Sequence, residues 1–263
     1  MRVKSNRFRI FYLSLFFIIL YVPVLSVVLY SFNKSSSTAY WAGFTLDWYR
    51  ELFNDRIIFD AFKVSIQVAL LTSVLSAIIG TASAIVSIYV KQKTEKTVNG
   101  LMFLPLIVPE VALGVSLLIF FSTLKLPFGI LTLVISHSLF CVPYVYIMVQ
   151  LRLKEINISI IEAAKDLGAT KWQIIKSIIL PLVMPSTLTA SLLALAMSLD
   201  DVVISTYMAG PTTTTLPVHI FSMMRVGVTP KVNALCTLFL AGTFLLIGLN
   251  QIIGTKGGNL IEK

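Results

Sequence analysis

The amino-acid sequence predicts an all-α, polytopic integral membrane protein with six transmembrane helices. Of its 263 residues, 57% are hydrophobic and only 13% are charged. The mean hydropathy of +0.89 is far above that of water-soluble domains. The apolar residues also form six runs, each long enough to cross the hydrocarbon core of a bilayer as a helix. Membrane lipid is therefore the expected surrounding of most of the chain.

The six apolar runs give the expected order of membrane-spanning helices. They cover about residues 10–31, 64–90, 101–123, 128–149, 184–208 and 234–253. Basic residues precede the first run, but this run is too long for a signal peptide and no small-x-small cleavage site follows it. We therefore expect it to stay in place as an anchor. Because no internal repeat or separate soluble domain is evident, residues 1–263 are expected to form one transmembrane domain.

The distribution of lysine and arginine predicts the orientation in the membrane. With the N-terminus in the cytoplasm, fourteen of the 21 basic residues fall on the inner side. The seven on the outer side are Lys34, Arg50, Arg56, Lys63, Lys125, Arg225 and Lys231. Positive charge accumulates on the cytoplasmic side, so this bias predicts that both termini are cytoplasmic. The net charge of +9 does not indicate nucleic-acid binding, because the basic residues lie between apolar runs and form no basic face.

The longest polar segment on the inner side, about residues 150–183, predicts two short helices joined at Gly168. The first helix has one apolar stripe made of Ile158, Ile161, Ala164 and Leu167. The second begins at Thr170, whose hydroxyl forms a capping box with the side chain of Gln173. Its expected stripe is Trp172, Ile175, Ile179 and Leu182, and Pro181 and Pro185 are expected to mark the junction into the fifth span. By itself, this pattern favours an amphipathic hairpin resting on the bilayer surface.

Seven residues of this segment stand at a spacing that favours a different interpretation: Glu162, Ala163, Ala164, Gly168, Ile178, Leu180 and Pro181. Three residues separate Glu-Ala-Ala from the glycine, and nine more precede Ile-x-Leu-Pro. In this spacing the segment resembles the EAA loop of the membrane subunits of ABC importers. The resemblance implies the type I importer permease fold. It also implies a coupling helix, because the first helix of that loop inserts into a groove of the ATP-binding subunit.

The residue types suit a rigid, docked element. Ala163 and Ala164 allow close approach, and Glu162 can pair with a basic group of the partner. Dimerisation of the ATP-binding subunits would then move the transmembrane helices mechanically. The chain itself is expected to hydrolyse nothing and to need no cofactor, because it lacks the Gly-x4-Gly-Lys-Ser/Thr phosphate-binding pattern.

Acidic residues inside the predicted spans indicate a path for a cation. Asp200 and Asp201 lie in the fifth span, and Glu110 lies in the third span. A carboxylate at the centre of a span costs about 2.5–3.5 kcal/mol on insertion scales, so such groups usually face a bundle interior or a pore. Further hydrogen-bonding groups for a solute are offered by Ser198, Ser205 and Tyr207. The alternative is that Asp200 or Asp201 caps a broken helix or pairs with an arginine of a sister subunit.

The prolines of the third span and the two histidines are expected to have structural rather than chemical roles. Pro105 and Pro109 are expected to kink the third span. His137 and His219 have no cysteine, histidine or carboxylate at metal-ligand spacing. His137 is therefore interpreted as a hydrogen bonder in helix packing, and no metal site is expected.

Three runs extend the resemblance to a subfamily. They are residues 162–169, 198–203 and 222–234. With the length and the six-span layout, they resemble the second permease subunit of spermidine/putrescine importers. The resemblance implies polyamine uptake across the bacterial inner membrane by alternating access. The implied partners are a homologous permease, a dimer of ATP-binding subunits and a periplasmic polyamine-binding protein.

Other interpretations stay open. A permease for a different solute fits the same loop, although an anion carrier should place basic groups rather than acids in its path. A secondary transporter using the carboxylates for protons often has paired inverted halves with broken helices, and the sequence shows neither convincingly. A membrane scaffold without transport activity leaves the acids in the spans unexplained.

Overall fold

The computed structural model describes the backbone of residues 3–259. The side chains of residues 3–7, 158, 246–247 and 249–259 lie outside the described set. Five basic residues that contributed to the prediction of cytoplasmic termini also lie outside it: Arg2, Lys4, Arg7, Lys256 and Lys263. The chain divides into two compact units. One comprises the described residues up to Phe59 together with Ile220–Gly242, and the other comprises Asp60–His219 and the described residues from Thr243.

Within the described residues the regular structure is helical, and one isolated antiparallel bridge joins Asn33 and Phe44. The helices are α1 (Val3–Tyr30), α2 (Asp47–Asn54), α3 (Arg56–Ser87), α4 (Gln92–Ile107), α5 (Glu110–Thr123), α6 (Ile130–Glu155), α7 (Ile158–Asp166), α8 (Lys171–Ile174), α9 (Leu180–Asp200), α10 (Val203–Met208), α11 (Leu216–Val226) and α12 (Pro230–Asn259). A π-helical turn, Ile175–Ile179, joins α8 to α9. The all-α prediction is therefore confirmed for this part of the chain.

Four helical segments among the described residues are long and apolar enough to cross a membrane. They are Phe8–Tyr30, Arg56–Ser87, Ile130–Glu155 and Lys171–Asp200. A fifth is obtained when α4 and α5 are counted as one bent span. The predicted sixth span falls on α12, whose apolar portion with described side chains is the shorter Pro230–Leu245. Four to five crossings are thus established by length and composition, and the sixth stays a prediction.

Two predicted spans are interrupted. The third span, expected over 101–123, breaks between α4 and α5, which meet at 103°. Pro109 causes this break because it has no amide to donate and forces Val108 into an extended conformation (φ −72°, ψ 130°). The fifth span, expected over 184–208, ends as a regular helix at Asp200 and resumes as α10.

The expected junction at Pro181 and Pro185 is instead continuous. Pro181 lies in the first turn of α9, where the missing amide costs little. Just before it, the amide of Leu180 donates to the carbonyl of Ile175, five residues back. This π-helical register carries the helix past the proline without a break, as π-bulges do inside α-helices.

In the first unit, the segment after α1 is organised by the buried side chain of Asn33. Its amide group donates to the carbonyls of Ser37 (3.0 Å) and Tyr40 (2.8 Å). Its side-chain oxygen accepts from the amide of Ala42 at 2.8 Å. Trp48 then donates to the Asn33 carbonyl at 2.7 Å, which fixes α2 on this loop.

In the second unit, the core lies along α6. Helix α9 packs against it, and the fully buried side chains include Val145, Tyr146, Val149, Ile179 and Val183. Helix α3 approaches closely at Gly80, where an added Cβ would lie 2.7 Å from Cβ of Val145. This core ends at the polar segment after α6 and holds it in place.

Candidate functional site

The first helix of the polar segment ends in a tight turn at Gly168. Its start is capped by Asn157, whose side-chain oxygen accepts from the amide of Ser159 at 3.1 Å. At its end, the amide of Gly168 donates to Lys165 (2.9 Å) and the amide of Ala169 donates to Ala164 (3.0 Å). This is the Schellman pattern, which needs a left-handed residue, and Gly168 has φ +82°. The predicted glycine turn is confirmed.

The second arm starts with the predicted capping box. The amide of Gln173 donates to the Thr170 hydroxyl at 3.3 Å, and the amide of Thr170 donates to the Gln173 side chain at 2.7 Å. Helix α8 then runs through the π-helical turn into α9 without interruption. We call residues 158–179 the loop hairpin. Its second arm and the membrane helix α9 form one continuous helical rod.

The two predicted apolar stripes are only partly right. Leu167 and Trp172, each a member of a predicted stripe, are 89% and 70% exposed. The second arm is anchored by Ile174, which is 1% exposed, and by Ile179 of the predicted stripe, which is fully buried. Ile161 and Ala164 do pack against the core, as expected. Ala169, just after the turn at Gly168, packs against the core as well.

The seven spaced residues divide between the surface and the base of the loop hairpin. Glu162, Ala163, Gly168, Leu180 and Pro181 are exposed, whereas Ala164 and Ile178 are partly buried. Gly168 and Ile178 share a cleft of about 350 Å³, which is lined by Leu167, Gly168, Ala169, Gln173, Ile174, Ser177 and Ile178. The hairpin thus presents a largely exposed first helix, large exposed apolar side chains near the turn, and a cleft formed by the turn and the second arm.

The break in the fifth span is built on the acidic pair. Asp201 follows the end of α9 in an extended conformation (φ −68°, ψ 124°). Its carboxylate accepts hydrogen bonds from the amides of Ile204 (3.3 Å) and Ser205 (2.7 Å). It thereby satisfies amides of the first turn of α10 that have no partner within the helix. This is the geometry of the alternative interpretation, a cap of a broken helix, and a contact between Asp201 and solute stays a prediction.

His137 of α6 completes this site. Its ring is fully buried, with Nδ1 2.7 Å from the Ser198 hydroxyl. Its Nε2 lies 3.0 Å from the Ser205 hydroxyl and 3.3 Å from Oδ2 of Asp201. Three of the predicted solute-contacting residues, Ser198, Asp201 and Ser205, therefore meet around one imidazole.

The other predicted residues lie apart from this cluster. Asp200 and Glu110 are exposed, and within the described part of the chain neither carboxylate has a hydrogen-bond or ion-pair partner. Glu110 begins α5 just after the break, where the helix dipole favours a negative charge. Tyr207 packs its ring on Gly114 of α5, since an added Cβ there would lie 2.6 Å from the ring.

Sequence reasoning interpreted His137 correctly as a packing hydrogen bonder but did not connect it with Asp201. Residues 64 positions apart carry no spacing signal that pairs them. One signal was available: the fourth predicted span, 128–149, contains a single ionisable side chain apart from cysteine and tyrosine, and that side chain is His137. An ionisable group inside a span normally has a polar partner.

The fold defines a polytopic helical membrane protein with a polar two-helix segment between α6 and α9. Residues 76–255 match the family described as binding-protein-dependent transport system inner membrane component, and the chain belongs to this family. The matched range includes both the loop hairpin and the break at Asp201. The predicted resemblance to ABC importer permeases and the inner-membrane location are thereby confirmed.

Relatives and solved structures agree with this assignment. Over 241 residues, the chain is 36% identical to the spermidine/putrescine transport system permease protein PotC of Escherichia coli K12, with 90% of this chain and 91% of PotC covered. It is 41% identical over 247 residues to the putrescine transport system permease protein PotI of the same strain, covering 90% of this chain and 87% of PotI. A chain of a bacterial alginate ABC transporter has a TM-score of 0.75 at 15% identity over 98% of this chain and 99% of that chain. A chain of the MetNI methionine ABC transporter has a TM-score of 0.65 at 18% sequence identity, and the match covers 76% of this chain and 96% of that chain. At these identities the two structures show the shared fold.

Proposed function

We propose that this chain is a permease subunit of an ATP-driven importer that carries polyamines, spermidine or putrescine, into the cytoplasm. The observation that carries the proposal is the identity of 36% and 41%, over 90% of the chain, to permeases named for these solutes. Exposed carboxylates at Asp200 and Glu110 fit a solute with several ammonium groups. An ammonium–carboxylate contact near a protein surface is worth up to about 4 kcal/mol before desolvation is subtracted.

In this proposal the loop hairpin docks on a separate ATP-binding subunit. Its exposed first helix, with Glu162 and Ala163 at the surface, is available for such a contact. The unbroken path from α8 into α9 supports mechanical transmission to the break at Asp201. ATP is bound and hydrolysed by the partner, and this chain serves transport without a cofactor of its own.

The proposal also includes six spans with both termini in the cytoplasm. The charge bias of the loops and the apolar run on α12 support this topology. Helix α1 presents apolar side chains along Phe8–Tyr30, which suits contact with lipid or with the homologous second permease. A periplasmic polyamine-binding protein delivers the solute to the outer side.

The test is uptake into proteoliposomes that contain the full importer, with ATP inside the lumen facing the ATP-binding subunit. We expect labelled spermidine or putrescine to accumulate, and methionine and alginate oligosaccharide to stay outside. Transport of a different solute with no polyamine uptake would assign the chain to another branch of the same family.

A further inference from the structure

The carboxylate of Asp201 is fully engaged within the protein. Its side chain is only 6% exposed. It accepts from two backbone amides of α10 and lies 3.3 Å from Nε2 of His137. A buried charge is tolerated when it has such partners, and they take three of the roughly four positions at which a carboxylate accepts hydrogen bonds.

His137 is engaged just as completely. Ser198 near the end of α9 and Ser205 in α10 hold its two ring nitrogens at 2.7 and 3.0 Å. The imidazole therefore contacts both sides of the helix break and the residue between them. Asp200, the adjacent acid, is exposed and has no side-chain partner among the described residues.

From this division of roles we infer that His137 is a positioning residue for transport. It fixes the break between α9 and α10 through Asp201. Of the two neighbouring aspartates, Asp200 is then the one that contacts an ammonium group of the solute. The inference deepens the proposed function and depends on it for the identity of the solute. It removes Asp201 and His137 from direct solute contact.

The arrangement has a distinctive consequence for paired substitutions. His137→Leu leaves the Asp201 carboxylate buried without its imidazole, which is strongly unfavourable. Asp201→Asn removes the charge and keeps one of the two oxygens that accept from the amides of α10, and asparagine is itself a good capping residue. In a chain that already carries Asp201→Asn, the imidazole has no charge to balance. Asp201→Asn should therefore repair the damage caused by His137→Leu.

The experiment compares five variants in the complete importer: H137L, D201N, the double variant H137L/D201N, H137Q and D200N. His219→Leu is the matched control, because His219 is the other histidine and takes no part in this cluster. Three quantities are measured for each: the amount of permease that co-purifies with the ATP-binding subunit, the KM of spermidine uptake and its Vmax.

We expect H137L to lower Vmax, or the amount of assembled importer, about tenfold or more, and H137L/D201N to return within about threefold of D201N. H137Q, which keeps a donor, should retain more activity than H137L. D200N should raise KM about tenfold with little change in Vmax, and H219L should change neither quantity by more than about twofold.

The inference is overturned if H137L/D201N is no better than H137L, or if D201N raises KM as D200N does. If H137L does not assemble, the rescue is measured as the amount of importer that the double variant H137L/D201N assembles. If the importer carries a solute other than a polyamine, the proposed function fails. The rescue of assembly still tests the role of His137 separately.

Discussion

At the scale of single residues, Gly168 has a strict backbone requirement. Its φ of +82° closes the Schellman turn, although an added Cβ would meet no atom within 4 Å. The restriction is therefore conformational, and a β-branched residue is penalised by about 1–2 kcal/mol or more while asparagine is tolerated. We expect Gly168→Val to abolish uptake with normal membrane insertion, and Gly168→Asn to keep most of it. Equal activity of the two variants in the uptake assay would contradict this account of the turn.

Glu162 tests the surface of the same hairpin. It is exposed, and reversing its charge disturbs no contact of the described chain but opposes a basic group on the partner. Glu162→Lys should lower uptake about a hundredfold by weakening docking, with permease levels unchanged. Asp166→Lys is the matched control, because it makes the same charge change four residues further along α7, at the helix end where a basic side chain is favourable. Uptake by Glu162→Lys at the level of this control would exclude Glu162 from the contact.

At the scale of elements, the contact of α5 with α10 depends on the absence of a side chain at Gly114. A methyl group there would lie 2.6 Å from the ring of Tyr207. Because overpacking in a filled contact typically costs 1–3 kcal/mol, Gly114→Ala should lower the thermal unfolding midpoint of the purified permease by several degrees. Gly100→Ala in α4 has free space around its Cβ and serves as the control. An unchanged midpoint for Gly114→Ala would mean that α5 and α10 separate easily.

Another element-scale feature ties α2 to the start of α12. Lys231 donates to Glu51 at 2.6 Å and to Asp55 at 3.0 Å. Burial opposes the ionisation of Asp55, but the hydrogen bond from Lys231 and those from the amides of Ile58 and Ile57 outweigh it and hold its pKa below the ordinary 3.8. Burial likewise opposes the charge of Lys231, and the two carboxylates outweigh it and raise the pKa of Lys231 above 10.5.

The sign of the pH dependence follows from these two shifts. The Asp55 contribution is present above about pH 4 and is lost as the pH falls through the lowered pKa, and the Lys231 contribution is lost as the pH rises through the raised pKa. Between these limits, Lys231→Met should make the segment between α1 and α3 more sensitive to added protease. The difference from wild type should shrink on acidification below about pH 4. A difference independent of pH would show that the ion pairs do not hold this segment.

The sequence allowed much of this architecture to be predicted, for identifiable physical reasons. Hydropathy located the long helices, and the local rules for glycine turns and capping boxes described the loop hairpin around Gly168 and Thr170 correctly. What it missed depends on tertiary contacts. The burial of Ile174 instead of Trp172 follows from how the hairpin packs on α6, and the pairing of His137 with Asp201 joins residues distant in sequence. Proline at 109 predicted a kink, but nothing local fixed its size at 103°.

At the scale of the whole molecule, the loop hairpin, the continuous rod of α8 and α9, and the break at Asp201 form one path. In the proposed function, docking of the ATP-binding subunit at one end would shift helix positions at the other, because the intervening helix is regular apart from its π-helical turn. A carrier driven by an ion gradient does not need a hairpin that docks on an ATP-binding subunit. An ATP-driven importer and a carrier driven by an ion gradient therefore differ in whether the two permeases alone can transport the solute.

The most direct test of the central claim is polyamine uptake by the two permeases reconstituted with and without the ATP-binding subunit, in the presence of both ATP and an imposed ion gradient. We expect uptake only when the ATP-binding subunit is present, and we expect uptake to be lost when Glu162→Lys is introduced. Uptake driven by the gradient alone, in vesicles without that subunit, would contradict it.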